Sequence, residues 1–181
     1  MRILLMLWLV LNAGAAAADG MQALREPGVV ALMRHALAPG TGDPARFDVD
    51  DCSTQRNLDA RGRAQARRTG EALRAAGVSF DLVWTSAWCR ARDTALLMEM
   101  GEVREKPPLN SFFAGRGHRA AQTAATLDLI ADLPPGTRLL IVTHQVNITA
   151  LTGRGVSSGE IIATRRAGGA LEPVGRFMIA P

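Results

Sequence analysis

The residues with the clearest chemical potential are two histidines, each of which follows a short apolar segment. His35 follows Arg34 and the apolar residues 29–33, and His144 follows residues 139–143. Short apolar runs bounded by turn residues are typical of buried strands, and ligands bind at the carboxyl ends of the strands in open α/β sheets. One such histidine is most simply a hydrogen-bonded rim residue. Two of them, with arginines nearby, favour a site for an anionic group.

Further arginines stand at the other predicted strand ends and loops. Arg34 precedes His35, Arg56 lies in a long polar loop over residues 36–57, and Arg90 closes the segment 86–90. That segment begins a predicted helix, and a helix N-terminus offers free N–H groups and a partial positive charge to an anion. Three arginines and two histidines around one pocket would neutralise a phosphoryl group and stabilise the charge of its transfer.

The elements that must position these residues alternate along the chain. Helices are predicted over residues 58–77, 89–100, 119–133 and 146–152, and strands over residues 29–33, 80–84, 102–106, 139–142, 160–166 and 174–179. This alternation predicts an α/β fold with three α/β/α layers, in which a largely parallel central sheet has an antiparallel edge.

The first 18 residues have the pattern of an export signal. Arg2 gives a positive start, residues 3–11 are apolar, and small residues lead to a predicted cleavage site after Ala18. An uncleaved membrane anchor is the alternative, but its apolar run is shorter than the roughly 20 residues that a span needs. We therefore expect a cleaved signal peptide over residues 1–18, a single domain over residues 19–181 without a membrane span, and a periplasmic or secreted location.

Composition and cysteine usage exclude several classes of function. The formal net charge of +4 comes from arginine, since Lys106 is the only lysine, and no basic patch is interleaved with aromatic residues, so no nucleic-acid partner is predicted. Cys52 and Cys89 do not form a C-x-x-C pair, no two histidines have helical spacing, and no G-x-G-x-x-G follows a strand. We predict no metal and no cofactor. Two cysteines often pair in an oxidising compartment, but whether these two meet is left open.

The ordered motifs resemble the histidine phosphatase superfamily, the phosphoglycerate-mutase-like fold, and most of all its small phosphohistidine-phosphatase branch. The resemblance covers nearly all of the chain after the signal and rests on residues 32–35, 56–58, 62, 65–66, 86–90, 94–95 and 142–144. In that family the first histidine is the nucleophile. The resemblance therefore implies that His35 attacks the phosphoryl group and that Arg34, Arg56, Arg90 and His144 hold its oxygens.

Three positions depart from the pattern of that family. Ala36 replaces the usual glycine after the histidine, and Ser111 and Gln145 stand at the two places where branches of the family keep a carboxyl group. Neither side chain supplies a proton as a carboxylic acid does, and such help is typically worth ~10²–10⁴ in rate.

Three explanations for the missing acid are open. An aspartate of the long loop could supply the proton, and the candidates are Asp43 and Asp51 ahead of Asp48 and Asp50. The substrate could have a good leaving group, as in a phosphoramidate or a pyrophosphate. The protein could also bind phosphorylated compounds without hydrolysing them well.

The sequence therefore predicts an exported phosphatase. Its expected substrate is a phosphomonoester or phosphoramidate, carried by a small molecule or a phosphoprotein and hydrolysed through a phosphohistidine at His35. The alternative function is a non-catalytic or weakly active module on the same fold that binds phosphorylated ligands.

Overall fold

The computed structural model describes residues 20–181, so the predicted signal peptide and its cleavage site lie outside the described residues. The strands are β1 Val30–Arg34, β2 Leu82–Thr85, β3 Val103–Glu105, β4 Leu139–Thr143, β5 Glu160–Ala167 and β6 Ala170–Met178. The helices that follow β1 are α1 Ala60–Ala75, α2 Cys89–Met98, α3 Arg119–Ala131 and α4 Gln145–Thr152, and 3-10 turns lie at Cys52–Thr54, Pro107–Leu109 and Phe113–Gly115. Within the described range, no helix combines the length and the apolar character that a membrane crossing requires.

All six strands join one sheet in the order β3-β2-β4-β1-β5-β6. The pairs β3-β2, β2-β4 and β4-β1 are parallel, whereas β5 runs antiparallel to β1 and to β6. This confirms the predicted α/β class with a largely parallel sheet and an antiparallel edge. The last strand begins four residues earlier than predicted, because a turn at Gly168 and Gly169, both with positive φ, lets Ala170 pair directly with Ala167.

The sheet is covered on both faces because its strand residues alternate between two cores. Ala31 and Met33 pack into the core that also holds Leu73 of α1 and Met98 of α2. The intervening residues of β1, together with residues of α3 and α4, belong to the second core. A strand buried on both sides reads as a continuous apolar run, and removing its side chains from water supplies the main stabilisation of the layers.

Helix α1 is placed by its start and by one glycine. The carboxylate of Asp59 accepts the N–H of Gly62 at 2.7 Å and caps the helix, so α1 starts at Ala60 rather than at the predicted residue 58. A Cβ on Gly62 would lie 1.9 Å from the carbonyl oxygen of Leu37. The lack of a side chain there lets α1 approach the chain that leaves β1, which is where His35 stands.

Candidate active site

The two histidines that follow apolar strands are neighbours in the fold. Strands β1 and β4 pair in parallel with Arg34 opposite Thr143, so the next residues along each strand emerge side by side. The ring centroids of His35 and His144 are 5.6 Å apart, in an edge-to-face arrangement. Strand β2 ends beside them, since Oγ of Ser86 lies 2.8 Å from Nε2 of His144. The carboxyl ends of three parallel strands therefore meet at both imidazoles.

The hydrogen bonds of His35 define which of its nitrogens is free to react. Nδ1 donates to the carbonyl oxygen of Ala36 over 2.8 Å, because a carbonyl can only accept. The neutral ring therefore carries its lone pair on Nε2, and Nε of Arg90 donates to that atom over 3.3 Å. Burial of the ring, followed by the charge of Arg90, holds the pKa of His35 well below its usual value of 6.5. The ring is thus neutral near pH 7.

His144 is held by the end of β2 and by an aromatic neighbour. Besides contacting His144, Oγ of Ser86 accepts the N–H of Trp88 at 3.1 Å. The indole of Trp88 lies edge-on to the imidazole, with 5.5 Å between the centroids. Burial, and then the neighbouring His35 and Arg90, hold the pKa of His144 well below 6.5. This second ring is neutral as well, so it meets an anion as a hydrogen-bonding group rather than as a cation.

One cavity of about 130 Å³ joins these residues. It is lined by Arg34, His35, Gly40, Thr41, Gly42, Arg56, Arg90, Ser111, Phe113, His144, Gln145 and Val146. The structure therefore brings all five residues expected to react with or bind a phosphoryl group to the wall of one cavity. The chemical role of each stays a prediction.

The arginines concentrate positive charge around this cavity. Burial, and then repulsion by Arg90, lower the pKa of Arg34 and take that of Arg56 to about 10. Arg56 also supports the loop, because its Nε donates to the carbonyl oxygen of Gly42 at 2.8 Å and its Nη1 donates to that of Ala38. Nε of Arg34 is buried and has no hydrogen-bond partner among the described residues. An anion in the cavity would offset the mutual repulsion of these cations.

Asp43, a candidate acid, occurs in the structure as a partner of Arg90. Its Oδ1 accepts from Nη1 of Arg90 at 2.6 Å and from the backbone N–H of Arg56 at 3.1 Å. Its Oδ2 accepts from Nε1 of Trp88 at 3.0 Å and from Nη2 of Arg90 at 3.2 Å. Burial alone would raise the pKa of this carboxyl, but the hydrogen bonds and charge of Arg90 lower it overall. Because four donors surround it, Asp43 is an ionised acceptor here rather than a proton donor.

The other candidate acid, Asp51, lies outside the lining of the cavity. Its carboxylate accepts the N–H of Ser53 at 2.9 Å and caps the turn Cys52–Thr54. Hydrogen bonding by the side chain of Ser53, and then by its backbone N–H, lowers the pKa of this exposed carboxyl. No Asp or Glu is among the described residues that line the cavity, and residues 20–181 contain no group of three or more His, Cys, Asp or Glu placed to hold a metal ion.

The two positions at which the resembling family keeps a carboxyl group do face the cavity. Ser111 is buried, and its Oγ accepts the N–H of Phe113 at 3.3 Å. Gln145 is the first residue of α4, so it stands beside His144 at the mouth. The place for an acid is therefore present, but it is filled by a hydroxyl and an amide.

The start of α2 differs from the expectation that its free amides receive the anion. The N–H groups of residues 87, 88 and 89 donate to side chains of Asn110, Ser86 and Gln55. The sequence did not predict these contacts of Asn110 and Gln55, because hydrophobic periodicity does not indicate which backbone group a polar loop residue will bind. Arg90 is the residue that this helix start contributes to the described lining of the cavity.

A disulfide bond ties the polar loop to the same helix. Cys52 and Cys89 are bonded, which settles the pairing that their spacing left open. Cys89 is the first residue of α2 and directly precedes Arg90. The bond therefore links the chain that carries Asp43 and Arg56 to the helix that carries Arg90.

Comparison with known proteins agrees with this geometry. The sequence model of the histidine phosphatase superfamily (branch 1) matches residues 30–117, which include strands β1 to β3, the polar loop and helices α1 and α2. Through these residues and its fold, the chain resembles the histidine phosphatase superfamily. No curated protein sequence matches it significantly.

Solved structures show how widely this histidine phosphatase fold is shared. The protein histidine phosphatase SixA, solved with tungstate, is 18% identical with a TM-score of 0.59 and covers 83% of this chain and 96% of its own. The phosphoserine phosphatase of Entamoeba histolytica, solved with 3-phosphoglyceric acid, is 16% identical with a TM-score of 0.62, covering 83% and 97%. The Rv3214 protein of Mycobacterium tuberculosis is 17% identical with a TM-score of 0.63, covering 83% and 97%.

At these low sequence identities, the TM-scores show that the proteins share a fold. The superfamily match, together with phosphatases among the neighbours, supports the prediction of a phosphatase. The chain also contains a G-x-S-x-G spacing at residues 155–159, which in serine hydrolases carries the nucleophile at a strand-to-helix turn. Here it lies in the loop between α4 and β5, so it does not indicate a serine hydrolase.

Proposed function

We propose that this histidine phosphatase is an exported enzyme that hydrolyses a phosphoramidate, or a phosphomonoester with a good leaving group, through a phosphohistidine on His35. One observation carries the proposal. Nδ1 of the buried His35 is committed to the carbonyl oxygen of Ala36, so the lone pair of Nε2 meets Arg90 at the cavity wall. A neutral imidazole with an unprotonated nitrogen in a cationic cavity is an activated nucleophile for phosphorus.

The reaction has two displacement steps. Nε2 of His35 forms a bond to phosphorus, and the bond from phosphorus to the leaving group breaks with its electron pair. An aryl oxygen leaves as the anion, whereas the nitrogen of a phosphoramidate is protonated from solvent beforehand and leaves as the neutral amine. Arg34, Arg56, Arg90 and His144 hold the phosphoryl oxygens during this transfer. Water then attacks phosphorus, the P–N bond breaks, and inorganic phosphate leaves as the imidazole returns to its neutral form.

The lining of the cavity supports the leaving-group preference. Ser111 and Gln145 occupy the places of the usual acid, and no carboxyl group stands among the lining residues within 20–181. The leaving group therefore departs without a proton from a carboxylic acid of the enzyme, which favours aryl esters, anhydrides and phosphoramidates over alkyl esters. A phosphorylated small molecule or a phosphoprotein would carry such a group.

Trapping of the adduct tests the proposal. We expect rapid quench with ³²P-labelled aryl phosphate to yield an acid-labile, base-stable adduct on His35 within the first turnover. The variant His35→Ala should lose both adduct and turnover. The matched control His118→Ala, which changes an exposed histidine, should keep both. Near-normal turnover by His35→Ala with any good substrate would refute the mechanism.

A second candidate function is the binding of phosphorylated ligands without turnover. The observation that favours it is the same absence of a carboxyl group from the described lining. Titration with tungstate separates the two candidates. Tight tungstate binding by a protein that forms no adduct with aryl phosphate or phosphoramidate would favour the binding module.

We propose export for the same protein, on two grounds. The first residues have the pattern of a cleaved signal, and the bond between Cys52 and Cys89 suits an oxidising compartment. Intact-mass measurement of protein purified from the envelope of its host should give a chain that begins at Asp19. Recovery from the cytoplasm of a chain that begins at Met1 would overturn this proposal.

A further inference from the structure

We infer that Asp43 is a positioning residue, which fixes the guanidinium of Arg90 so that its Nε faces the reactive nitrogen of His35. The inference rests on the proposed function, because it concerns the attack by His35. It assigns to the loop carboxylate a role opposite to that of an acid, since Asp43 acts by staying ionised and by contacting Arg90 rather than the substrate.

The contacts leave Arg90 a single orientation. Its two Nη atoms are both bonded to Asp43, at 2.6 Å and 3.2 Å, and both side chains are almost fully buried, with 3% and 5% exposed. Nη1 also donates to the backbone carbonyl of Arg56 at 3.2 Å. Nε, the third nitrogen of the group, donates to Nε2 of His35. A fork of two parallel hydrogen bonds fixes the plane of a guanidinium, so the direction of Nε follows from Asp43.

The loop that carries Asp43 is itself anchored to the site. Gly40 and Gly42 have φ values of 88° and 71°, which bend the chain around the Arg56 side chain. Trp88, which donates to Asp43, stacks on Phe47 of the same loop with centroids 4.9 Å apart. The carboxylate is therefore held from both sides, by the loop that contains it and by the start of α2.

Charge separates this role from simple support of the fold. Asp43 neutralises one of three arginines, so it weakens the attraction of the cavity for any anion while it orients Arg90 for the transfer step. Removal of its charge should slow the reaction and leave the binding of a stable anion unchanged or tighter. A defect of folding would weaken both properties together.

The variant Asp43→Asn tests the inference, since it keeps acceptor and donor atoms but loses the charge. Against aryl phosphate we expect kcat to fall by about tenfold to a hundredfold, as misplacement of catalytic groups does, while the inhibition constant of tungstate stays equal or falls. The control Asp48→Asn changes an exposed aspartate of the same loop and should match wild type. An unchanged kcat, or parallel loss of kcat and tungstate affinity in a folded Asp43→Asn, would overturn the inference.

A second variant keeps the test decisive if Asp43→Asn does not fold. Trp88→Phe keeps an aromatic ring against Phe47 and His144 but removes one hydrogen bond to Asp43. We expect a smaller fall in kcat with unchanged tungstate affinity, and wild-type kcat in this variant would then refute the inference. Failure of the proposed function looks different, because wild-type protein would then form no adduct on His35.

Discussion

Arg90 donates a hydrogen bond from Nε to Nε2 of His35 over 3.3 Å, so the lone pair of the proposed nucleophile accepts from a permanent cation. Burial, and then the charge of this cation, suppress protonation of the ring, which keeps the nitrogen able to attack. Attack on phosphorus uses that lone pair and releases the Nε–H of Arg90, which is then free to donate to a phosphoryl oxygen. The contact therefore couples the reactivity of the ring to the binding of the group that it attacks.

We predict that Arg90→Ala weakens the binding of tungstate or inorganic phosphate by about tenfold or more, because hydrogen bonds to charged groups are worth roughly 1.5–3 kcal/mol. Isothermal titration calorimetry measures the change. Arg119→Ala is the matched control, since it removes an exposed arginine from the start of α3. Equal weakening by the two substitutions would show that the anion binds elsewhere.

We predict that the free energy of unfolding decreases as the pH is lowered from about 7 to about 5. His35 stays neutral in the fold because its pKa is held well below 6.5, whereas the unfolded chain takes up a proton near that pH. The unfolded state therefore binds more protons, which costs up to about 1.4 kcal/mol of stability per pH unit for such a group. His144 acts in the same direction.

Urea unfolding at several pH values checks this dependence. The variant His35→Gln should show a shallower slope than wild type between pH 7 and 5. His118→Gln, at an exposed position, should reproduce the wild-type slope. A wild-type stability that is flat over this interval would contradict the burial of two neutral imidazoles.

We predict that loss of the disulfide bond destabilises the protein by about 4 kcal/mol, the chain-entropy value for closing a loop of this length. Cys52 and Cys89 are 37 residues apart in sequence. Guanidinium unfolding of the double variant Cys52→Ser/Cys89→Ser measures the loss. Reductant should destabilise wild type by a similar amount and leave the double variant unchanged, and any effect of reductant on that variant would point to another cause.

We predict that the rate depends steeply on the pKa of the leaving group, with aryl phosphates and phosphoramidates at least about a hundredfold faster than alkyl phosphates. The reason is that Ser111 and Gln145 line the cavity at the two positions where the family resemblance would place a carboxyl group. Substitution of Ser111→Glu should flatten the dependence by raising the rates with alkyl phosphates.

The competing source of a proton is an aspartate of the polar loop. The four variants Asp43→Asn, Asp48→Asn, Asp50→Asn and Asp51→Asn test it one at a time. We expect the dependence to remain steep in all four. A shallow dependence in wild type that becomes steep in one variant would identify that aspartate as the acid.

The sequence predicts the layers and the meeting of the two histidines because both follow from regular patterns. Continuous apolar runs identify buried strands, and parallel strands bring residues such as His35 and His144 to one edge. The alternation of elements likewise predicts the antiparallel edge, although the pairing of Ala167 with Ala170 extends the last strand beyond its apolar part.

The loop contacts could not be predicted in the same way. The pairing of Asp43 with Arg90 spans 47 residues and depends on a bend at two glycines and on the stacking of Trp88. No periodicity encodes such a contact, and neither do the hydrogen bonds of Gln55 and Asn110 to the start of α2. The spacing Gly40-Thr41-Gly42-Asp43 was the available signal, since it places a carboxylate directly after a flexible turn.

The cavity of about 130 Å³ is small beside the roughly 300–1,000 Å³ of pockets that enclose drug-sized ligands. It admits a phosphoryl group and leaves the rest of a substrate outside. Discrimination between substrates is then a property of the protein surface around the opening, where the exposed Phe113 stands. An inhibitor that only mimics phosphate would act on every enzyme with such an arginine-lined opening. Selectivity for this protein must therefore come from the part of the inhibitor that stays outside the cavity.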